Sequence, residues 1–132
     1  MGLARFVALE PHYNLVHRAE YEGGPAALCA LEGLACFPYY ALASGFLSGK
    51  YRSSAKVESA RAPGAAKYLD DKGLRILAAL DAIAEERRTT VAAVSLAWLL
   101  TRPAVVAPIA SARTPEQLAD LLPAVSLRLT PG

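Results

Sequence analysis

At 132 residues the chain has the length of one ordinary domain, and 54% hydrophobic with 20% charged residues describes a chain able to close a core, which excludes a disordered or low-complexity protein. A formal net charge of +2 is too small to draw the chain to nucleic acid or a membrane surface. Cys29 and Cys36 stand in apolar stretches without CxxC or Cys/His spacing, so buried reduced thiols are expected rather than a disulfide or zinc site, as suits a reducing cytoplasm.

No long apolar run follows a basic start, so neither a signal peptide nor a membrane span is expected. Residues 6–9, Phe-Val-Ala-Leu, form a short apolar run halted by Glu10-Pro11, the pattern of a strand covered on both faces. Residues 26–32 are rich in helix formers, follow Gly23-Gly24-Pro25 and stop at Gly33. Residues 34–39 are apolar again, and strand, helix, strand predicts a βαβ unit with parallel strands. The Gly/Ser/Ala-rich stretch from Tyr40 to Tyr51 follows. Its small residues let backbone amides approach an anion and Lys50 adds positive charge, although a plain connection has the same composition.

Residues 53–67 carry Ser, Ala, Arg, Lys, Pro and Gly without periodicity, which predicts a long exposed loop of the kind that often serves as a lid. Leu74, Leu77, Leu80 and Ala84 recur at helical spacing against a charged face, so an amphipathic helix is expected over residues 71–88. Thr89 or Thr90 caps the next helix, whose Val91, Val94, Leu96, Trp98, Leu99 and Leu100 are apolar nearly all round until Arg102-Pro103. That helix should be buried. Residues 105–109 read as a third strand, and Thr114 with Pro115 opens a last helix. Strands alternating with helices predict an α/β architecture with parallel pairing.

Such folds gather ligands at the carboxyl ends of their strands, which draws the 40–51 loop and the helix start at Thr114 toward one phosphorylated ligand. Arg113 or Gln117 can contact a phosphate there, and a plain helix cap is the alternative. Tyr39, at a strand end, either stacks on a flat ring or is a core tyrosine. His12 and His17 lack partners at metal-ligand spacing and are not catalytic candidates. Residues 85–88 read as a solvated helix end and Trp98 as core. No GxSxG, HExxH, GxGxxG or GxxxxGK[ST] motif occurs.

Three blocks, in order, carry a family likeness: Glu10-Pro11-His12-Tyr13-Asn14-Leu15-Val16-His17-Arg18, then Phe37-Pro38-Tyr39-Tyr40-Ala41-Leu42-Ala43-Ser44-Gly45-Phe46-Leu47-Ser48-Gly49-Lys50-Tyr51, then Pro108-Ile109-Ala110-Ser111-Ala112-Arg113-Thr114-Pro115-Glu116-Gln117-Leu118. Over nearly all its length the chain resembles the aldo-keto reductase family, specifically the C-terminal part of bacterial members. The resemblance implies that residues 1–132 are a partial domain. This would be the last three β/α units of a (β/α)8 TIM barrel, three parallel strands with helices, with NADP at the C-terminal face.

By that resemblance Glu10 stands at the position that contacts the nicotinamide carboxamide, where the family usually has Gln, and Tyr39 is the aromatic that stacks on nicotinamide. Tyr40, Ala41, Leu42, Ala43 and Ser44, with Lys50, match the loop lining the pyrophosphate. Ser111, Arg113 and Gln117 match positions around the adenosine 2′-phosphate, and Asp120 an acidic position near adenine. Ser111 replaces a frequent Gly and Leu121 a usual Asn.

The family's catalytic Asp, Tyr, Lys and His lie in the first half of the barrel, so the resemblance assigns no catalytic residue and no metal here. A complete enzyme would reduce a small aldehyde or ketone with NADPH, whereas this chain alone is expected to be inactive. A three-stranded sheet with two free apolar edges is expected from a truncated or split reading frame. It would pair with a complementing N-terminal half-barrel, self-associate, or fold incompletely. The competing class is a non-catalytic nucleotide-binding or interaction fragment, or a non-functional remnant.

Overall fold

The computed structural model describes residues 2–52 and 61–130. Strands β1 (Ala8–Leu9) and β2 (Ala35–Cys36) pair in parallel, Ala8 opposite Ala35 and Leu9 opposite Cys36. Helices α1 (Ala19–Glu22) and α2 (Pro25–Glu32) make the crossover between them. Gly33 closes α2 at φ 64°, a left-handed cap in which its N–H reaches the Cys29 carbonyl. The βαβ unit is therefore present.

The expected third strand is not. Residues 105–109 form one parallel bridge, Cys36 with Val105, held by Cys36 N–H to Ala104 O (2.8 Å) and Val106 N–H to Cys36 O (2.9 Å). The next rungs of that ladder would need the N–H groups of residues 38 and 108, and both are prolines. Ile109 N–H takes the Pro38 carbonyl instead, at 2.8 Å. Proline trims the first pairing likewise. The rung onto Phe37 O would come from residue 11, which is Pro11, and pairing resumes only as a single bridge between His12 and Tyr39. The architecture is α/β with a two-stranded parallel sheet.

Residues 53–60 of the expected lid loop lie outside the described residues, but its end is helical rather than irregular. Helix α3 (Ala62–Ala66) buries Ala65 against the 3-10 turn Ala43–Ser48. Helix α4 (Asp71–Arg87) follows, with Asp70 accepting from Gly73 N–H at 2.7 Å. Residue 73 must be glycine, because a Cβ there would lie 1.9 Å from the Tyr68 carbonyl oxygen. Between the two cap candidates Thr90 is the one used: its hydroxyl accepts from Ala93 N–H at 3.0 Å and starts α5 (Val91–Leu100). Helix α6 (Pro115–Leu121) starts at Thr114 with Pro115 in its first turn, as expected, and a 3-10 turn, Leu122–Val125, follows.

Helix α5 is the keel. Leu96 and Leu99 join Tyr13, Tyr21, Cys29 and Cys36 in one buried cluster, while Val94 joins Phe46, Leu47, Leu77 and Leu80 in a second. Both cysteines are buried and free, and burial pushes the Cys36 thiol pKa up. Trp98 is half-buried and packs against the first cluster, with the Arg18 and Arg102 guanidinium groups 5.2 and 4.9 Å from its ring, so it flanks the core. No helix among the described residues is long and apolar enough to cross a membrane.

Candidate functional site

Beyond β2 the backbone turns left-handed repeatedly: Tyr40 at φ 52°, Ala43 at 50°, Ser44 at 57°, Gly45 at 90° and Gly49 at 79°. Outside glycine that conformation costs about 1–2 kcal/mol per residue, so the surroundings must hold it. Asn14, fully buried, does so. Its Nδ2 donates to the Tyr40 carbonyl at 2.9 Å, while its Oδ1 accepts from Val16 and His17 N–H at 3.0 and 2.9 Å. Below the loop Phe46 and Leu47 are buried, and the Ser95 hydroxyl of α5 lies 3.2 Å from Leu47 O. At the step from Leu42 (φ −104°, ψ 17°) to left-handed Ala43, the Ala43 N–H closes on the Tyr40 carbonyl at 2.8 Å and makes a tight turn of small residues.

The loop faces a cavity of about 440 Å³ whose walls include Tyr40, Ala41, Leu42, Ser44, Arg61 and Ser111. Gly64 of α3 lies directly over Ser44, so close that a Cβ would come within 2.8 Å of Ser44 Oγ. A second cavity, about 190 Å³, is walled by Lys50, Arg61, Ser111, Arg113, Gln117 and Asp120. The two share Leu42, Gly45, Arg61 and Ser111 and form one cleft. Three basic side chains thus meet one carboxylate there, which suits a ligand carrying more than one anionic group.

Local bonds set the far wall. Arg61 Nη2 donates to Ser111 Oγ at 2.9 Å, joining the start of α3 to the segment before α6. Gln117 Oε1 accepts from Arg113 N–H at 2.9 Å, so its carbonyl is engaged and its amide NH2 is the end left to serve as donor. The Thr90 hydroxyl donates to Asp120 O at 2.6 Å and pins α6 to α5.

Glu10 and Tyr39 lie together in a neighbouring cavity of about 460 Å³, with His12, Glu20 and Tyr21. Tyr39 is 39% exposed, which removes the core-tyrosine alternative, and its ring centroid is 5.2 Å from that of Tyr40, which lines the cleft.

The structure therefore brings Tyr40, Ala41, Leu42, Ser44, Lys50, Ser111, Arg113, Gln117 and Asp120 onto one cleft, with Glu10 and Tyr39 beside it. Ala43 is buried beneath and contributes its backbone turn. Sequence reasoning missed Arg61 and Gly64, which fell in a stretch without periodicity, and the role of Asn14. It read His12 and His17 only as lacking partners at metal-ligand spacing and did not foresee that their rings stack, with centroids 3.8 Å apart and planes at 11°.

Comparison with known proteins converges. The family model described as the aldo/keto reductase family matches residues 1–131. An aldo-keto reductase of Metarhizium robertsii is 36% identical over 82% of this chain and 29% of its own length. The Bacillus subtilis oxidoreductase YrpG is 37% identical over 95% of this chain and 38% of its own. Among solved structures, a glycerol dehydrogenase from Gluconobacter oxydans superposes with a TM-score of 0.75 at 25% identity, covering 92% of this chain and 38% of that protein. The chain spans well under half the length of these relatives.

Proposed function

The chain belongs to the aldo/keto reductase family, and from that premise we propose that it forms the NADP-binding wall of a carbonyl-reducing oxidoreductase, as the last three β/α units of a (β/α)8 barrel. One observation carries this: Lys50, Arg61 and Arg113 line a single cleft against a left-handed loop of small residues, with an exposed aromatic pair beside it. The donor set fits a phosphorylated dinucleotide. Backbone groups of Tyr40 to Ser44 with Lys50 and Arg61 hold the pyrophosphate, Ser111, Arg113 and Gln117 hold the 2′-phosphate, and Asp120 faces the adenine.

Tyr39 offers its ring to the nicotinamide and Glu10 an acceptor to the carboxamide N–H. When bound, the nicotinamide supplies a hydride to an aldehyde or ketone. The chain's own residues orient and retain it. In this reading the proton donor comes from the Asp, Tyr, Lys and His that the family pattern puts outside these residues, and the working enzyme is an assembly with a complementing half-barrel. Buried free thiols suit a reducing cytoplasm as its location.

Calorimetric titration with NADP⁺ and NAD⁺ tests the binding claim. NADP⁺ should bind more tightly, and Arg113→Ala should weaken NADP⁺ by about tenfold or more while barely affecting NAD⁺, since only the former carries the 2′-phosphate. Equal losses for both would remove the phosphate role of Arg113. Purified chain should not oxidise NADPH in the presence of aldehydes, and robust turnover would contradict the dependence on residues outside it.

A further inference from the structure

We infer that the stacked His12–His17 pair positions the Tyr39–Tyr40 corner through Asn14 and makes dinucleotide binding sensitive to protons; the inference rests on the cofactor reading above. The geometry is a short chain of contacts. His12 pairs with Tyr39 across a parallel bridge, and its ring centroid lies 5.4 Å from Tyr39 and 5.3 Å from Tyr40. Its other neighbour is His17, stacked at 3.8 Å. His17 N–H donates to Asn14 Oδ1 at 2.9 Å and lies 3.1 Å from the Asn14 carbonyl oxygen, and Asn14 Nδ2 donates to Tyr40 O. The turn that stacks the two imidazoles is thus the turn that grips Tyr40.

The stack is poorly built to take a proton on His12. His12 Nε2 is buried and has no hydrogen-bond partner among the described residues, so protonation there creates a desolvated N–H cation with no acceptor among them. Among the described residues, charged and titratable groups stand near the pair on several elements, Arg18 adjoining His17 in the chain. Glu20 Oε2 bonds His17 Nε2 at 3.0 Å, Glu10 and Tyr21 line the same cavity as His12, and the Tyr39 and Tyr40 rings lie against it.

Burial, then His17, hold the His12 imidazole below its ordinary 6.5, against an opposing pull from Glu20. The sign follows. An opened turn accepts a proton more readily than the stacked one, so the stack is intact above that ordinary value and loses stability as pH falls from there through the lowered one.

The test measures NADP⁺ affinity at about pH 7.5 and about pH 5.5 for the chain and for His12→Phe, which keeps a stacking ring and removes the titration. The chain should lose at least about threefold more affinity on acidification than the variant. Titration of the ligand's own 2′-phosphate is common to both and cancels in the ratio. Equal ratios, with NADP⁺ still bound, would overturn the inference and leave the cofactor reading standing. Absence of NADP⁺ binding at either pH would instead overturn that reading. In the ligand-free chain, NMR decides the coupling independently: the Asn14 side-chain amide and Tyr40 N–H resonances should shift along the His12 titration, and their indifference to it would sink the proposal.

Discussion

Asn14 shows how much of the site depends on a side chain that never reaches the cleft. It is fully buried, donates one hydrogen bond across 26 residues to Tyr40 and accepts two within its own turn. Asn14→Ala would leave the Val16 N–H without its acceptor, reduce His17 N–H to its bond with the residue-14 backbone carbonyl and release Tyr40, a loss of about 2–3 kcal/mol readable in urea unfolding. Asn14→Asp keeps the acceptor for the turn but sets a buried carboxylate against the Tyr40 carbonyl oxygen, so at neutral pH it should cost at least as much as the alanine change. Gly64 makes the complementary point. Its Cα sits where Ser44 excludes any side chain, so Gly64→Ala should push Ser44 aside and weaken NADP⁺ binding; the double change with Ser44→Gly should restore it. NADP⁺ titration of the single and double variants checks this. In the sequence Asn14 was visible only as part of a block resembling the family, because its partner lies on another element. Gly64 was invisible, since its role is a contact and not a turn.

At the level of elements, local chemistry was legible and pairing was not. The helices at 71–87 and 91–100 and the cap at Thr114 are written in apolar spacing and in Asp70, Thr90 and Thr114, which act over three residues. Strand length depends instead on which N–H groups face which carbonyls. Pro11, Pro38 and Pro108 each remove a rung, which shortened the expected strands and dissolved the third. The helix at 62–66 escaped notice because Ala-Pro-Gly-Ala-Ala has no periodic face to read. Thr90 serves two elements, capping α5 and bonding Asp120 O. Thr90→Ala should therefore cost about 1–2 kcal/mol by thermal unfolding, more than the cap alone.

A clasp between Arg52 and Asp81 joins the loop end to α4, with Nη2 to Oδ1 at 2.6 Å. Arg52 holds the Asp81 carboxyl below its ordinary 3.8. Because the folded value is depressed, the stabilisation is present above that ordinary value and disappears as pH falls through the lowered one. Both side chains are substantially exposed, so the effect is small and screened by salt. Asp81→Asn should flatten the acid limb of a stability-against-pH curve, while an unchanged limb would mean that the clasp contributes nothing.

For the whole molecule the two sides of the sheet region decide behaviour in solution. Phe6 and Val7, just before β1, are 88% and 77% exposed, and Val106, beyond the bridge on the other side, is 58% exposed. Apolar strand edges of this kind seek partners. The chain should therefore associate with rising concentration in sedimentation velocity, and a double change of Phe6 and Val7 to Lys should reduce that association without altering NADP⁺ affinity. The family was legible because three motif blocks stand in order. What those blocks left unstated is how one cleft is assembled from the 40–51 loop, the start of α3 and the segment before α6.

That assembly is tested most directly by titrating the ¹⁵N-labelled chain with NADP⁺ and following its amide resonances. Binding in a single cleft predicts that Ser44 and Gly45 shift together with Ser111, Arg113 and Gln117, with one common saturation curve. Shifts confined to one of the two groups, separate curves, or none at all would contradict it.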